Sequence, residues 1–237
     1  MLKNIKQLYG NKLCASDGDI GHVKDFYFDD TTWAVRYLVA DTGSSWLAGH
    51  QVLLSPHAFG RFDPEAKVLL INLNRRQIEG SPSIESHRPV SRQYEEDYYR
   101  YYGWPVYWEG GDMWGMGSQP VAMPPPDPTL HAHLGHQQSG DIHLRSTQAI
   151  TGYHIQAADG MIGHVSGFLV DDKSWVIGEL IVETGHWYSG REILISPSKI
   201  ERINYEESKV FVNLTKEDIQ RTSEGSVAQA VAGNLHK

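Results

Sequence analysis

The sequence predicts an all-β chain of two small antiparallel barrels, each closed by a short helix, and two observations carry that prediction. The first is an internal repeat. Asp17-Gly18-Asp19-Ile20-Gly21-His22-Val23, Phe26, Asp29-Asp30, Trp33 and Asp41-Thr42-Gly43 return as Asp159-Gly160-Met161-Ile162-Gly163-His164-Val165, Phe168, Asp171-Asp172, Trp175 and Glu183-Thr184-Gly185. The shift is 142 residues, from Gly18 to Gly160, and 15 of the 34 positions in 10–43 are identical in 152–185. One residue is lost before Trp46 and Trp187, and a shift of 141 then carries Gly49/Gly190, Ser55-Pro56/Ser196-Pro197, Asn72-Leu73/Asn213-Leu214 and Ile78/Ile219. The second observation is a series of short β-branched and aromatic runs, closely spaced and punctuated by Gly and Asp turns.

In the first copy, residues 12–15 form a short apolar strand, and Asp17-Gly18 follows as a dipeptide suited to a tight hairpin. Residues 23–29 carry Phe26, Tyr27 and Phe28, a β-favouring set. Asp29-Asp30-Thr31-Thr32 reads as a polar turn. Residues 33–40 alternate Val35, Tyr37 and Val39 against Leu38 and Ala40, so both faces are apolar and the strand is central, covered on two sides. Residues 51–54 make a fourth strand, stopped at Ser55-Pro56 because proline offers no ladder donor. Residues 68–72 make a fifth, and Asn74 to Gln77 has the spacing of a helix-capping box. The second copy repeats this order at 155–157, 165–170, 175–182, 192–195 and 210–213, with Thr215 heading its closing helix.

These elements divide the chain into a first barrel at 1–80, a connector at 81–143, a second barrel at 144–222 and a tail at 223–237. Each copy is near 80 residues, a size at which one core is modest and a neighbour helps. The net charge of −8 and pI near 5.8 argue against a nucleic-acid partner, which requires a basic face. A single cysteine, Cys14, excludes an intrachain disulfide framework, and its apolar run reads as a buried small hydrophobe rather than a nucleophile. The opening Met1-Leu2-Lys3-Asn4 lacks a signal-peptide core, and no apolar run approaches a membrane span. The expectation is a cytoplasmic location.

Gly10, Leu13, Ala15, Asp17-Gly18, Ile20-Gly21 and Val23, their counterparts at 152–165, and the closing Leu214-Thr215-Lys216-Glu217-Asp218-Ile219 resemble the PRC-barrel family. That family includes the cytoplasmic domain of the photosynthetic reaction-centre H subunit, and free-standing bacterial double-barrel proteins are similar to this chain. The resemblance covers about two thirds of the sequence. It implies two small antiparallel barrels, no catalytic machinery, no cofactor, and a role in holding or assembling protein complexes. A homo-oligomer and peripheral association with a membrane complex are both compatible with it.

The candidate sites lie in the connector and at the repeated histidines. The connector stretch 94–114 holds nine of the chain's 25 aromatic residues. Tyr98, Tyr101, Tyr102, Trp104, Tyr107, Trp108 and Trp114 are the candidate partner-binding set, since Tyr and Trp supply contact area at low entropic cost. The same rings could instead fill the groove between the barrels. Tyr94, Tyr98, Tyr101 and Tyr102 share one helical face, which leaves Glu95, Glu96 and Asp97 on the solvated side. The preferred reading is internal packing, with some rings left exposed for a partner.

His131, His133 and His136 form an alternative metal site, because His-x-His places two imidazoles on one side of an extended chain. A polar, proline-bounded linker in which the histidines are simply solvated is the preferred reading. His22 and His164 recur, but one histidine per barrel has too few partners for a metal. No nucleophile with a base and no converging carboxylate pair is legible, so the catalytic set is empty.

Overall fold

The computed structural model describes residues 2–43, 51–82, 92–106, 143–185 and 190–221. The chain is built mainly of β-strands arranged in two seven-stranded sheets. In order they are β1 (Leu2–Asn4), β2 (Lys12–Ala15), β3 (Gly18–Asp29), β4 (Val35–Asp41), β5 (Gln51–Leu54), β6 (Phe59–Asp63) and β7 (Val68–Ile71). Helices α1 (Arg75–Glu79) and α2 (Arg92–Tyr102) follow. The second copy runs through β8 (Leu144–Ser146), α3 (Thr147–Ile150), β9 (His154–Ala157), β10 (Gly160–Asp171), β11 (Ile177–Thr184), β12 (Glu192–Ile195), β13 (Ile200–Asn204) and β14 (Lys209–Val212). A last helix, α4, spans 216–221.

The first sheet has the order β5-β4-β3-β2-β7-β6 and the second the order β12-β11-β10-β9-β14-β13. Two features depart from the antiparallel barrels expected. The pairs β2–β7 and β9–β14 are parallel. Among the described residues no ladder joins β5 to β6 or β12 to β13, so each sheet is an open path. Pro56 and Pro197 open the 3₁₀ turns that separate those strands, and these turns lead the chain away from the strand just left.

The repeat's glycines and acidic pairs do structural work. Gly21 crosses β4 so closely that a Cβ there would stand 1.9 Å from the Asp41 carbonyl oxygen, and at Gly163 the distance to Glu183 is 2.0 Å. Asp17 does more than turn the chain: its carboxylate accepts the Arg75 N–H at the start of α1, 2.8 Å away. Asp159 accepts the Lys216 N–H at the start of α4 in the same way. Asn74 and Gln77 form the expected capping box. Ile78 and Ile219 then enter the apolar core.

Cys14 is a correction. Its neighbours Leu13 and Ala15 take the inward positions of β2, so period-2 alternation leaves Cys14 half-buried, its thiol 3.2 Å from Asp19 Oδ1. Burial and then the Asp19 hydrogen bond push that thiol up, which keeps it protonated at neutral pH.

The two copies are joined by exchanged strands. β1, from the start of the chain, pairs with β10 of the second sheet, as Leu2–Asp171, Lys3–Val170 and Asn4–Leu169. β8 pairs with β3 of the first sheet, as Leu144–Asp29, Arg145–Phe28 and Ser146–Tyr27. Each residue in one set is 142 positions from its counterpart in the other, so the exchange has an internal two-fold relation. Ala34 and Val176 bridge at the centre, where Val35 N–H donates to Trp175 O and Ile177 N–H to Trp33 O, both at 2.8 Å.

The turns at this seam are held by the acidic pairs. Asp29 Oδ1 accepts from the N–H groups of Thr31 and Thr32, and Asp171 Oδ1 from those of Lys173 and Ser174. That closure places Trp33 at φ 60° and Trp175 at φ 54°, the left-handed region that costs an L-residue about 1–2 kcal/mol. Their side chains pack where the copies meet. Trp33 stacks on Phe28 at 5.3 Å, Phe28 meets Phe168 at 5.7 Å, and Trp175 lies 4.6 Å from Phe59. A single apolar cluster therefore runs from Ile5 through both sheets to Ile219.

Candidate interaction site

Strand β4 is buried on both faces, as its sequence predicts. Val35, Leu38 and Ala40 enter the common core, while Tyr37 and Val39 join a second cluster with Leu53, Tyr98 and Tyr99. Helix α2 supplies that cover. It lies on the outer face of the first sheet, in contact also with Leu144, rather than in the groove between the copies. Tyr102 and Trp104 at the helix end also pack against the common core.

The buried face of α2 is 95, 98 and 99, with Tyr102 partly buried at its edge, which is not the face expected. Glu95 is fully buried and accepts a 2.9 Å hydrogen bond from the Tyr37 hydroxyl, while Glu96 and Asp97 are exposed. So many tyrosines line this helix that their spacing alone selects no single face. What decides the phase is a hydroxyl on the sheet that can satisfy a carboxylate.

Tyr98 has no exposed surface. Its hydroxyl donates to Leu53 O at 3.0 Å and accepts the Ser55 N–H at 2.9 Å, pinning α2 to the end of β5. Tyr99 is buried as well, and burial pushes its phenol up to about 12. Tyr98→Phe is expected to cost about 1–3 kcal/mol in urea denaturation, because the Ser55 N–H loses its acceptor in a dry site. Tyr101→Phe, at a half-exposed ring, is expected to stay within about 0.5 kcal/mol.

The outward side of this helix end is an aromatic ledge. Tyr102 and Trp104 stack at 4.4 Å with planes 14° apart, and Tyr101 meets Tyr102 edge-on at 4.9 Å. Tyr101 is 45% exposed, and its hydroxyl donates to Gln77 O at 3.0 Å, anchoring the ledge to α1. Burial pushes the Tyr102 phenol up to about 12. His57 lies 5.5 Å from the Trp104 ring, and burial pushes its imidazole down, so it stays neutral at neutral pH. The ledge is thus aromatic, with no charged side chain of its own and its hydroxyls turned to Gln77 O. Of the candidate partner-binding set, Tyr101, Tyr102 and Trp104 come together here, and Tyr98 lies beneath them. Tyr107, Trp108 and Trp114 lie outside the described residues, as do His131, His133 and His136.

Two clefts flank the seam at repeat-related places. One, about 650 Å³, is lined by Trp33, Asp30, Arg145 and Arg202; the other, about 260 Å³, by Trp175, Asp172, Lys3 and Arg61. In each, a cation from the exchanged strand pairs with the turn carboxylate. Arg145 Nε reaches Asp30 at 2.6 Å, and Lys3 Nζ reaches Asp172 at 3.1 Å. These pairs tie the copies together.

The buried acids serve the same end. Asp25 receives Thr147 Oγ1 at 2.9 Å, the Gln148 N–H at 3.2 Å and the Ser146 hydroxyl, so it holds the start of α3. Burial pushes its carboxyl up despite these bonds. Burial also acts to raise Asp29, but the Thr32 and Thr31 N–H groups and the Arg36 guanidinium outweigh it and hold that carboxyl below the ordinary range. Among the described residues no three His, Cys, Asp or Glu side chains converge to hold a metal ion, and no helix is long and apolar enough to cross a membrane.

The acidic turn at Asp29-Asp30, the two-sided cover of β4 and the aromatic character of the segment were legible in advance; the long-range anchoring roles of Asp17, Asp25 and Glu95 were not. Asp17, Asp25, Glu95 and Trp175 act through partners more than 50 residues away in the chain. The only advance signal was the recurrence of Asp17 and Trp33 at Asp159 and Trp175. In comparison with known proteins, the chain matches no family model and no curated relative.

Proposed function

We propose that this chain is a non-enzymatic interaction module, built from two PRC-type β units, that holds a protein partner through the ledge of Tyr101, Tyr102 and Trp104. The observation that carries this reading is the contrast between ledge and interior. Among the described residues, the buried carboxylates Asp25, Asp29 and Glu95 and the seam pairs of Asp30 and Asp172 are engaged in holding the fold together. The rings at the end of α2 instead present a contiguous uncharged surface on a rigid base. Rigid aromatic rings lose little entropy on binding and are the side chains that concentrate interface energy.

The kinship with PRC-type units is supported by the repeated glycine motif, and by Ile78 and Ile219 carrying the closing helices into the core. The full chain, immobilised at low salt, is expected to capture a stoichiometric protein partner from an extract of its source cells. Tyr101→Ala combined with Trp104→Ala is expected to weaken capture about tenfold or more, read well below the melting temperature of the variant so that the loss is not one of folded protein. Capture that ignores both substitutions, or no stable partner at all, would sink the proposal.

A further inference from the structure

We infer that the outer face of the second sheet is a second docking surface, which takes an amphipathic helix of a partner protein that sets a lysine or arginine over Glu179. This rests on the interaction-module reading and extends it to a separate surface with a stated ligand chemistry.

The internal repeat supplies the template. On the first sheet, α2 covers Tyr27, Tyr37, Val39, Leu53 and Leu144. The repeat carries those positions onto Leu169, Glu179, Ile181, Leu194 and Leu2. The two faces share their backbone: Ile181 lies opposite Leu194 as Val39 lies opposite Leu53, and Glu179 opposite Leu169 as Tyr37 opposite Tyr27. Their cover differs. Leu53 is 2% exposed beneath α2, whereas Leu194 is 53% exposed and Leu2 48%. Leu194 stands where the sister copy buries Leu53 under a helix, and Leu2 where it half-buries Leu144. Ile181 lies between them at 6% exposure, so the two leucines rim a seat at the place α2 occupies on the first sheet.

Charge states what the occupant brings. On the first sheet the hydrogen-bond donor is in the sheet and the carboxylate on the helix, as Tyr37 donates to Glu95. On the second sheet the polarity is reversed, because Glu179 stands where Tyr37 does. Glu179 is half-buried, and among the described residues no cation lies within ion-pair distance of it. Burial pushes its carboxyl up, as befits an acid that has lost water without gaining a partner. Glu183 and Glu192 face each other across β11 and β12 beside it, with His164 Nε2 3.5 Å from Glu183. Lys6 borders the face at Gly167. The surface is acidic on balance, so the complementary helix is basic at the position equivalent to Glu95 and apolar three, four and seven residues on, the spacing of 95, 98, 99 and 102.

The test uses a lactam-bridged helical peptide with the sequence of residues 92–106 carrying Glu95→Lys, titrated against the full chain by fluorescence anisotropy. Saturable binding is expected, weakened about tenfold or more by Leu194→Asp or Leu2→Asp and about five- to tenfold by Glu179→Gln. The parent peptide with Glu95 is expected to bind at least about tenfold more weakly than the lysine form, and to gain rather than lose from Glu179→Gln. Equal binding of the two peptides, or indifference to Leu194→Asp, overturns the inference. So does a fall in the melting temperature of the isolated chain with Leu194→Asp, which means its own residues cover the face. A dimer dissociated by the same substitution makes the occupant a second copy and also overturns it. A peptide that fails to bind while a partner is still captured through Tyr101 and Trp104 defeats this inference alone. Peptide binding without ledge-dependent capture defeats only the ledge.

Discussion

Phe28→Ala is expected to lower the stability of both copies together by about 3–5 kcal/mol, the range for truncating a buried phenylalanine that leaves a cavity. Phe28 is completely buried, and it touches Trp33 of its own copy and Phe168 of the other. The cavity therefore opens in the cluster common to both sheets rather than within one barrel. Strand exchange makes the same point for the backbone, because melting either sheet strips a strand from the other. Urea unfolding followed by tryptophan fluorescence and by far-UV circular dichroism should give coincident transitions, for the parent chain and for the variant alike. Two separate transitions, with only the first shifted by Phe28→Ala, would show that the copies are independent units.

Gly21→Ala is expected to be nearly as damaging, at about 3–5 kcal/mol, by combining overpacking with backbone strain. The added methyl would fall 1.9 Å from the Asp41 carbonyl oxygen, which is backbone within a paired strand and cannot swing aside. Gly21 also sits at φ +128°, a conformation that alanine resists. Its repeat mate separates the two effects. Gly163 has the same close approach, 2.0 Å to Glu183 O, without a left-handed φ, so Gly163→Ala is expected to cost about 1–3 kcal/mol. Gly10 has φ +73° with nothing within 4 Å, and Gly10→Ala is expected to cost about 1–2 kcal/mol. Chemical denaturation of the three variants checks the ranking. A Gly21→Ala protein as stable as the Gly10→Ala one would mean that the crossing of β3 and β4 is looser than described.

Strands with strong alternation were legible without coordinates. The expected bounds of β2, β5 and β12 match those found to within a residue, and the chain ends of β4, β7, β11 and β14 fall within two residues of expectation. The capping box at Asn74 was legible too, because a cap is a contact between residues three apart. β6 and β13 were missed: Phe59–Asp63 and Ile200–Asn204 each follow a Ser-Pro stop and mix apolar with charged residues. β1 and β8 were also missed, since LKN and LRS are three-residue segments too short to carry a period.

The candidate site divides in the same way. The density of tyrosine and tryptophan after residue 93 signalled that this segment matters, and its helix was legible. Its phase was not, and Glu95 was placed on the wrong side, because the residue that reverses the choice, Tyr37, lies 58 positions away.

By itself the sequence determined the repeat, the β-rich class, the order of most strands and the turns between them. Each of these follows from backbone preferences and side-chain alternation among near neighbours. The tertiary structure alone decided that each copy donates a strand to the other, that one core spans both, and that α2 covers Leu53 on one sheet while its counterpart Leu194 stays 53% exposed. Those outcomes rest on contacts between residues far apart in the chain. A short polar strand or a buried carboxylate is stable only once its distant partner is in place.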